Sequence, residues 1–304
     1  MGFARQSLVH RPGRPLVVDG GLATGLEALG YELHPRLWSA GVFLEHPAAV
    51  ERLHRAYLDA GAEILISASY QMSFAGLARE GLDHRSAARA MRRTVEVARR
   101  AAARAGKRPL VAASIGPYGA TLADGSEYRG AYGLDVAQLV EFHRERASVL
   151  DRAGADLLAA ETVPCLDEAR ALIRLFSESP GTPVWVSFSC GAGGRLRDGQ
   201  PLERAAALLE RCARVQAVGV NCTAPDHVAE AIDAIRTGTG KPVIVYPNSG
   251  EQWEPARRAW VGEFDRRRFL DLASTWARRG VWAIGGCCRI GPDVIRELAQ
   301  RLRE

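Results

Sequence analysis

Short, partly β-branched apolar runs recur at Pro15 to Asp19, Glu63 to Ser67, Pro109 to Ser114, Asp156 to Ala160, Pro183 to Ser187, Ala217 to Asn221, Pro242 to Tyr246 and Val281 to Gly285, and predict eight strands. Between and after them, amphipathic spacing predicts helices at about Pro47 to Ala60, Ser86 to Ala105, Val136 to Ala153, Leu166 to Glu178, Leu202 to Ala213, Pro225 to Arg236, Arg266 to Arg279 and Pro292 to Leu302. Gly61, Gly106, Gly154 and Gly280 follow helices just before the next strand, where a left-handed cap favours glycine. Eight βα units at this spacing describe an α/β chain folded as a TIM (β/α)8 barrel better than a doubly wound sheet. No Pro/Gly/Ser linker or low-complexity segment divides the chain, so residues 1–304 read as a single domain. The Gly- and Tyr-rich stretch from Gly116 to Gly133 is long for a βα loop, which makes it a candidate lid.

Composition narrows the function. With 47% apolar and 25% charged residues the chain is an ordinary globular protein, and disorder, collagen and a coiled coil are excluded. Apolar runs such as Ala205 to Leu209 fall far short of the ~20 residues that a membrane span requires. Met1 to Arg14 has no apolar run ending at a small-residue cleavage site, so the expected location is the cytoplasm. The net charge of +5 invites a nucleic-acid reading, but the arginines are scattered rather than gathered with aromatics, and solvated helix faces account for them.

In such a barrel the chemistry gathers where the strands end. Those ends are Asp19-Gly20-Gly21, Ser67 to Gln71, Ser114 to Gly116, Glu161-Thr162, Ser187 to Cys190, Asn221-Cys222, Pro247-Asn248-Ser249 and Gly285-Gly286-Cys287-Cys288. Side chains on a strand alternate faces, so Cys287 and Cys288 reach one point only if the strand has ended, which Gly285 and Gly286 permit. Consecutive Cα atoms, about 3.8 Å apart, are too close for an ordinary disulfide. With Cys222, the pair offers three thiolates for an open tetrahedral zinc site; the alternatives are packed thiols, a dithiol redox catalyst using Cys287 and Cys288, and a non-catalytic amino-acid or metal binder. Cys212 reads as a buried helical residue, Cys165 as a loop residue and Cys190 as a neighbour of the rim. No histidine falls at a strand end, and His34, in the first long connection, is the nearest exception. A three-thiolate zinc is a poor activator of water and a good host for a fourth, still nucleophilic thiolate, so thiol alkylation is its natural chemistry. Asp19 and Glu161 could hold a substrate ammonium, against the plainer readings of a turn aspartate and a helix-cap or core glutamate.

The ordered blocks Val18 to Thr24, Leu37 to Ala40, Val220-Asn221-Cys222, Tyr246 to Glu251 and Gly285 to Cys288 resemble those of the homocysteine S-methyltransferase family, over nearly the whole chain. The resemblance implies a TIM barrel, zinc on Cys222, Cys287 and Cys288, and an amino group of homocysteine met by Asp19 and Glu161. Two further blocks, Ser67 to Gln71 and Asp124 to Gly130, resemble the branch that takes its methyl from S-methylmethionine or a similar sulfonium such as S-adenosylmethionine, with Thr121 and Ala131 as departures inside the loop. The small-molecule substrates implied are homocysteine and that donor, and the product is methionine. Trp38, Glu127, Tyr128 and Asn248 join Asp19 and Glu161 as expected substrate-binding residues, with Tyr132 as a further aromatic of the loop.

Overall fold

The computed structural model describes residues 13–254 and 259–303; the stretch read above for a leader lies, through residue 12, outside the described residues. Eight parallel strands form the central sheet: β1 (Leu16–Val17), β2 (Ile64–Ile66), β3 (Leu110–Ile115), β4 (Leu157–Val163), β5 (Val184–Phe188), β6 (Val215–Asn221), β7 (Val243–Tyr246) and β8 (Ala283–Ile284). Their order is β1-β8-β7-β6-β5-β4-β3-β2, and a parallel bridge between Val18 and Ile64 joins the last strand to the first. The sheet is thereby a TIM-type barrel, and each of the eight predicted strands has its counterpart in it.

The eight predicted helices also form: Pro47–Ala60, His84–Arg104, Val136–Asp151, Leu166–Ser177, Leu202–Glu210, Val228–Gly238, Arg266–Arg278 and Pro292–Arg301. Pro47 opens the first of these, where its missing N–H costs nothing, and Gly61 closes it at φ 109°. Gly106, Gly154 and Gly280 also take positive φ, as their positions required. Leu202–Glu210 ends early, so Cys212 lies just past the helix rather than within it. Three further helices, Leu22–Ala28, Ser39–Glu45 and Phe74–Arg79, were not anticipated; with 7, 7 and 6 residues they are about two turns each, too short to show a helical period. Two hairpins, Cys190–Gly191 with Arg195–Leu196 and Gln252–Glu254 with Ala259–Val261, decorate the loops after β5 and β7.

Inside the barrel, Leu16, Val18, Ile64, Ala112, Leu157, Ala159, Trp185, Ala217, Ile244 and Ala283 form an apolar plug, separate from the larger core between sheet and helices. Trp185 is its bulkiest member, fully buried and edge-on to Tyr246. Gly219 belongs to this packing: a Cβ there would lie 2.1 Å from the Ile244 carbonyl oxygen on β7. Small residues on some strands thus make room for the indole of another. Trp185→Ala should destabilise the protein by about 3 to 5 kcal/mol in denaturant unfolding, because the plug cannot collapse around so large a void.

Candidate metal and substrate site

Two-residue alternation carries the inward face of each strand past the plug. Above Ala112 comes Ser114, above Ala159 Glu161, above Trp185 Ser187, above Gly219 Asn221 and above Ile244 Tyr246, all buried. A polar layer therefore lies on the apolar one, and it bonds to itself. Ser114 Oγ donates to Glu161 Oε1, and the Tyr246 hydroxyl is 3.0 Å from Glu161 Oε2. Trp185 Nε1 donates to the Tyr246 oxygen over 3.0 Å, and Ser187 Oγ is 2.5 Å from it. Asn221 completes the layer: its Oδ1 accepts from the Thr162 N–H at 2.8 Å and lies 2.8 Å from Ser187 Oγ, while its Nδ2 donates to Thr162 Oγ1. That clamp holds Thr162 at φ 62°, where the β4 and β5 ladder shifts register between Ala160 and Val163.

The thiols lie beside this layer. Cys222 follows Asn221 with φ 45°, a left-handed conformation that turns the chain out of β6. Gly285 and Gly286 let the end of β8 turn against β1, since a Cβ on Gly285 would lie 2.5 Å from Val18 Cβ and one on Gly286 would meet Ile290. Backbone bonds from Cys287 N to Pro247 O (2.8 Å) and from Ser249 N to Cys288 O (3.2 Å) pin both cysteines to the loop after β7. The sulfurs of Cys222, Cys287 and Cys288 all lie within 4.8 Å of one another. Cys222 and Cys288 are 3.8 Å apart, and Cys222 is joined to Cys287 as a disulfide, so the bonded pair is not the adjacent Cys287 and Cys288 of the dithiol alternative. Burial pushes the Cys288 thiol up to about 12, and the Glu127 carboxylate adds to the effect. Cys165, Cys190 and Cys212 are buried elsewhere and lie outside the cluster.

A cavity of about 170 Å³ opens onto the thiols and is lined by Glu161, Thr162, Trp38, Glu127, Tyr128, Tyr246 and the three cysteines, among others. Asp19, buried at the rim, spends Oδ2 on the Ile66 N–H at 2.9 Å and leaves Oδ1 without a partner. Burial raises its carboxyl well above the usual range, and Glu161 adds to that. Glu161 is pushed up to about 7 by burial against the pull of Ser114 and Tyr246. Glu127 also reaches about 7 by burial, and its Oε2 has no partner. Arg36 is the one basic residue lining the cavity among the described residues, and Glu80 pairs with it at 2.8 Å. The cavity is thus built to receive positive charge.

Not every expected residue is brought in, and Asp19, buried behind Gly20 and Gly21, is not among the lining residues. Asn248 is not among the lining residues; its Oδ1 accepts from the Gly250 N–H at 3.0 Å and shapes its own loop. Tyr132 likewise stays outside, because its hydroxyl donates to buried Glu168 at 3.1 Å. Glu168 also receives the Tyr118 N–H at 2.6 Å and bonds His143, so both ends of the Gly116 to Gly133 loop are tied to it, and the loop tip carries Glu127 and Tyr128 to the cavity. His34 uses Nδ1 on the backbone N–H groups of Arg36 and Leu37, away from the thiols. The residues that sequence reading left without a role are Ser114, Thr162, Ser187, Asn221 and Tyr246; four of the five end the predicted strands, and the inward period of each strand singles them out.

Comparison with known proteins places these features in context. A sequence profile described as homocysteine S-methyltransferase matches residues 16–302. The homocysteine S-methyltransferase YbgG of Bacillus subtilis is 43% identical over 293 residues, 93% of each chain. The metallated form of the homocysteine methyltransferase MmuM of Escherichia coli superimposes with a TM-score of 0.84 at 40% identity, covering 95% of this chain and 97% of that one. The oxidized form of the same protein gives the same TM-score and identity, with 95% and 96% covered.

Asn221→Ala should unfold at lower denaturant concentration, by about 1 to 3 kcal/mol for each buried partner left unpaired. The measurement is the midpoint and slope of urea unfolding, with the slope unchanged.

Proposed function

The chain belongs to the homocysteine S-methyltransferase family, and we propose that it moves the methyl group of a sulfonium, S-methylmethionine or S-adenosylmethionine, to the thiol of homocysteine at a zinc ion, giving methionine. One observation carries this reading: three sulfurs and the buried Glu161 carboxyl line one cavity, and the buried Asp19 carboxyl lies close enough to Glu161 to act on it.

With the Cys222–Cys287 bond reduced, the thiol cluster fits zinc. Zn–S bonds of about 2.3 Å in a tetrahedron imply sulfurs about 3.8 Å apart, and Cys222 and Cys288 stand 3.8 Å apart. Three cysteines and no histidine or carboxylate make a soft donor set, with the fourth position left to a ligand. When bound, zinc supplies a Lewis acid that favours the thiolate of homocysteine at neutral pH. Cys222, Cys287 and Cys288 would hold the metal, and the raised Cys288 thiol would have to give up its proton on binding it, which makes metal uptake pH-dependent.

Around that centre the chain orients two substrates. Asp19, just past β1, and the Glu161 carboxyl, on β4, form the seat for the acceptor's ammonium, with Glu161 braced by Ser114 and Tyr246. Trp38 and Tyr128 present aromatic faces, and Glu127 a carboxyl with a free oxygen, to a cationic donor entering under the loop. These residues would contribute to the rate by holding both reactants in line. We place the protein in the cytoplasm, where reduction keeps all three thiols available, and read residues 1–304 as one homocysteine-binding domain.

Metal analysis of the reduced protein should give about one zinc per chain, lost in Cys222→Ser, Cys287→Ser and Cys288→Ser and kept in Cys165→Ser, Cys190→Ser and Cys212→Ser. Full zinc in any of the first three variants removes that residue from the site, and full activity without metal overturns the reading. Methionine formation from homocysteine should proceed with S-methylmethionine and fail with betaine and methyl-folate. Tyr128→Ala should raise the KM for the sulfonium roughly 2- to 30-fold, as expected for loss of one cation–π face of about 0.5 to 2 kcal/mol, with zinc content and homocysteine KM little changed. Comparable rates with betaine or methyl-folate would overturn the choice of donor.

A further inference from the structure

The polar layer above the plug contains a chain of oxygen contacts whose hydrogens can be counted. Asn221 fixes one end, because the Thr162 backbone N–H can only donate and so identifies the oxygen of the carboxamide. From that oxygen the contacts run to Ser187 Oγ (2.8 Å), on to the Tyr246 hydroxyl (2.5 Å), and on to Glu161 Oε2 (3.0 Å). Both ends are acceptors when Glu161 is ionised, and the two hydroxyls supply two hydrogens for three contacts. Trp185 Nε1 cannot supply the third, since its N–H is already directed at the Tyr246 oxygen. The missing hydrogen is accounted for if Glu161 carries it: Glu161 donates to Tyr246, Tyr246 to Ser187 and Ser187 to Asn221.

We propose that the Asn221–Ser187–Tyr246 chain holds Glu161 as a carboxylic acid in the unliganded protein, and that the ammonium of the amino-acid acceptor releases this proton. The inference rests on the proposed role of Glu161 as an ammonium seat. On binding, the Glu161 proton passes to solvent, Tyr246 turns its hydrogen to the new carboxylate, and Ser187 turns its own to Tyr246. The Ser187 and Asn221 oxygens are then left facing without a hydrogen, a cost that the ammonium–carboxylate bond offsets. Ser187 and Tyr246 are accordingly positioning residues that act through Glu161. The groups bearing on Glu161 from neighbouring strands and loops are Asp19, Tyr70, Ser114 and Tyr246, none of them a cation. Burial works in the same direction, pushing the Glu161 carboxyl up to about 7.

Infrared difference spectroscopy of the full chain at about pH 6 reads the protonated carboxyl directly, through its carbonyl stretch and the shift of that stretch in heavy water. The unliganded protein should show a band that Glu161→Gln removes and that added homocysteine abolishes. Ser187→Ala frees the Tyr246 hydrogen for Glu161, so two atoms share one contact and one hydrogen, and the band should disappear at this pH while far-ultraviolet circular dichroism is unchanged. The homocysteine KM of that variant should keep its low value to more acid pH than in the parent. Absence of a Glu161-dependent band in the unliganded protein, or its survival in folded Ser187→Ala, overturns the hydrogen count and leaves the ammonium seat standing. A band that persists at saturating homocysteine overturns both the release and the seat.

Discussion

A β-strand presents its side chains alternately to its two faces, and in a closed parallel barrel one of those faces has nowhere to go but inward. The polar layer of the site follows from what that inward face carries at successive steps. Leu157 and Ala159 fill the plug and Glu161 emerges above it; Trp185 fills the plug and Ser187 emerges; Ile244 is followed by Tyr246. The apolar layer gives these polar groups a packed floor, and their burial obliges them to satisfy one another. A carboxyl set in such a place is held firmly and ionises reluctantly.

Reaching the cavity from these strand ends requires backbone that ordinary residues avoid. Trp38, Ala123, Thr162 and Cys222 all adopt positive φ, and all four line the cavity. Each such residue costs on the order of 1 to 3 kcal/mol unless its surroundings hold it. For Thr162 the holding group is the Asn221 carboxamide, which grips both its N–H and its hydroxyl. Asn221 immediately precedes Cys222, so the clamp on the carboxylate strand and the first thiol belong to one piece of chain. The stability lost to strain is recovered in the buried hydrogen bonds, and the two halves of the site are coupled through them.

The barrel was legible in the sequence because its evidence repeats eight times: short apolar run, amphipathic helix, glycine cap. The thiols were legible because Gly285-Gly286-Cys287-Cys288 makes sense only at the end of a strand. What escaped was local or depended on distant partners. The helices Leu22–Ala28, Ser39–Glu45 and Phe74–Arg79 are shorter than the period that would reveal them. Tyr132 carries the same chemistry as Tyr128, and only the position of Glu168, 36 residues away, turns it from the cavity. Asn248 is spent on a turn within its own loop, a use that asparagine favours and that no spacing rule separates from ligand binding.

The seam of the barrel bears on how the chain comes to be folded at all. β8, only two residues long, inserts between β7 and β1, the first strand among the described residues, and Cys287 and Cys288 follow it after Gly285 and Gly286. Neither the ring nor the thiol cluster can close until the last strand has been made, and 66 residues separate Cys222 from Cys288. At ribosomal speeds of about 5 to 20 residues per second, that interval is roughly 3 to 13 seconds. Through it the nascent chain carries an unpaired strand edge and a thiol that has not met its partners. Closure is a late, long-range event of the kind that slows folding, and a protein built this way depends on whatever shields that edge during its synthesis.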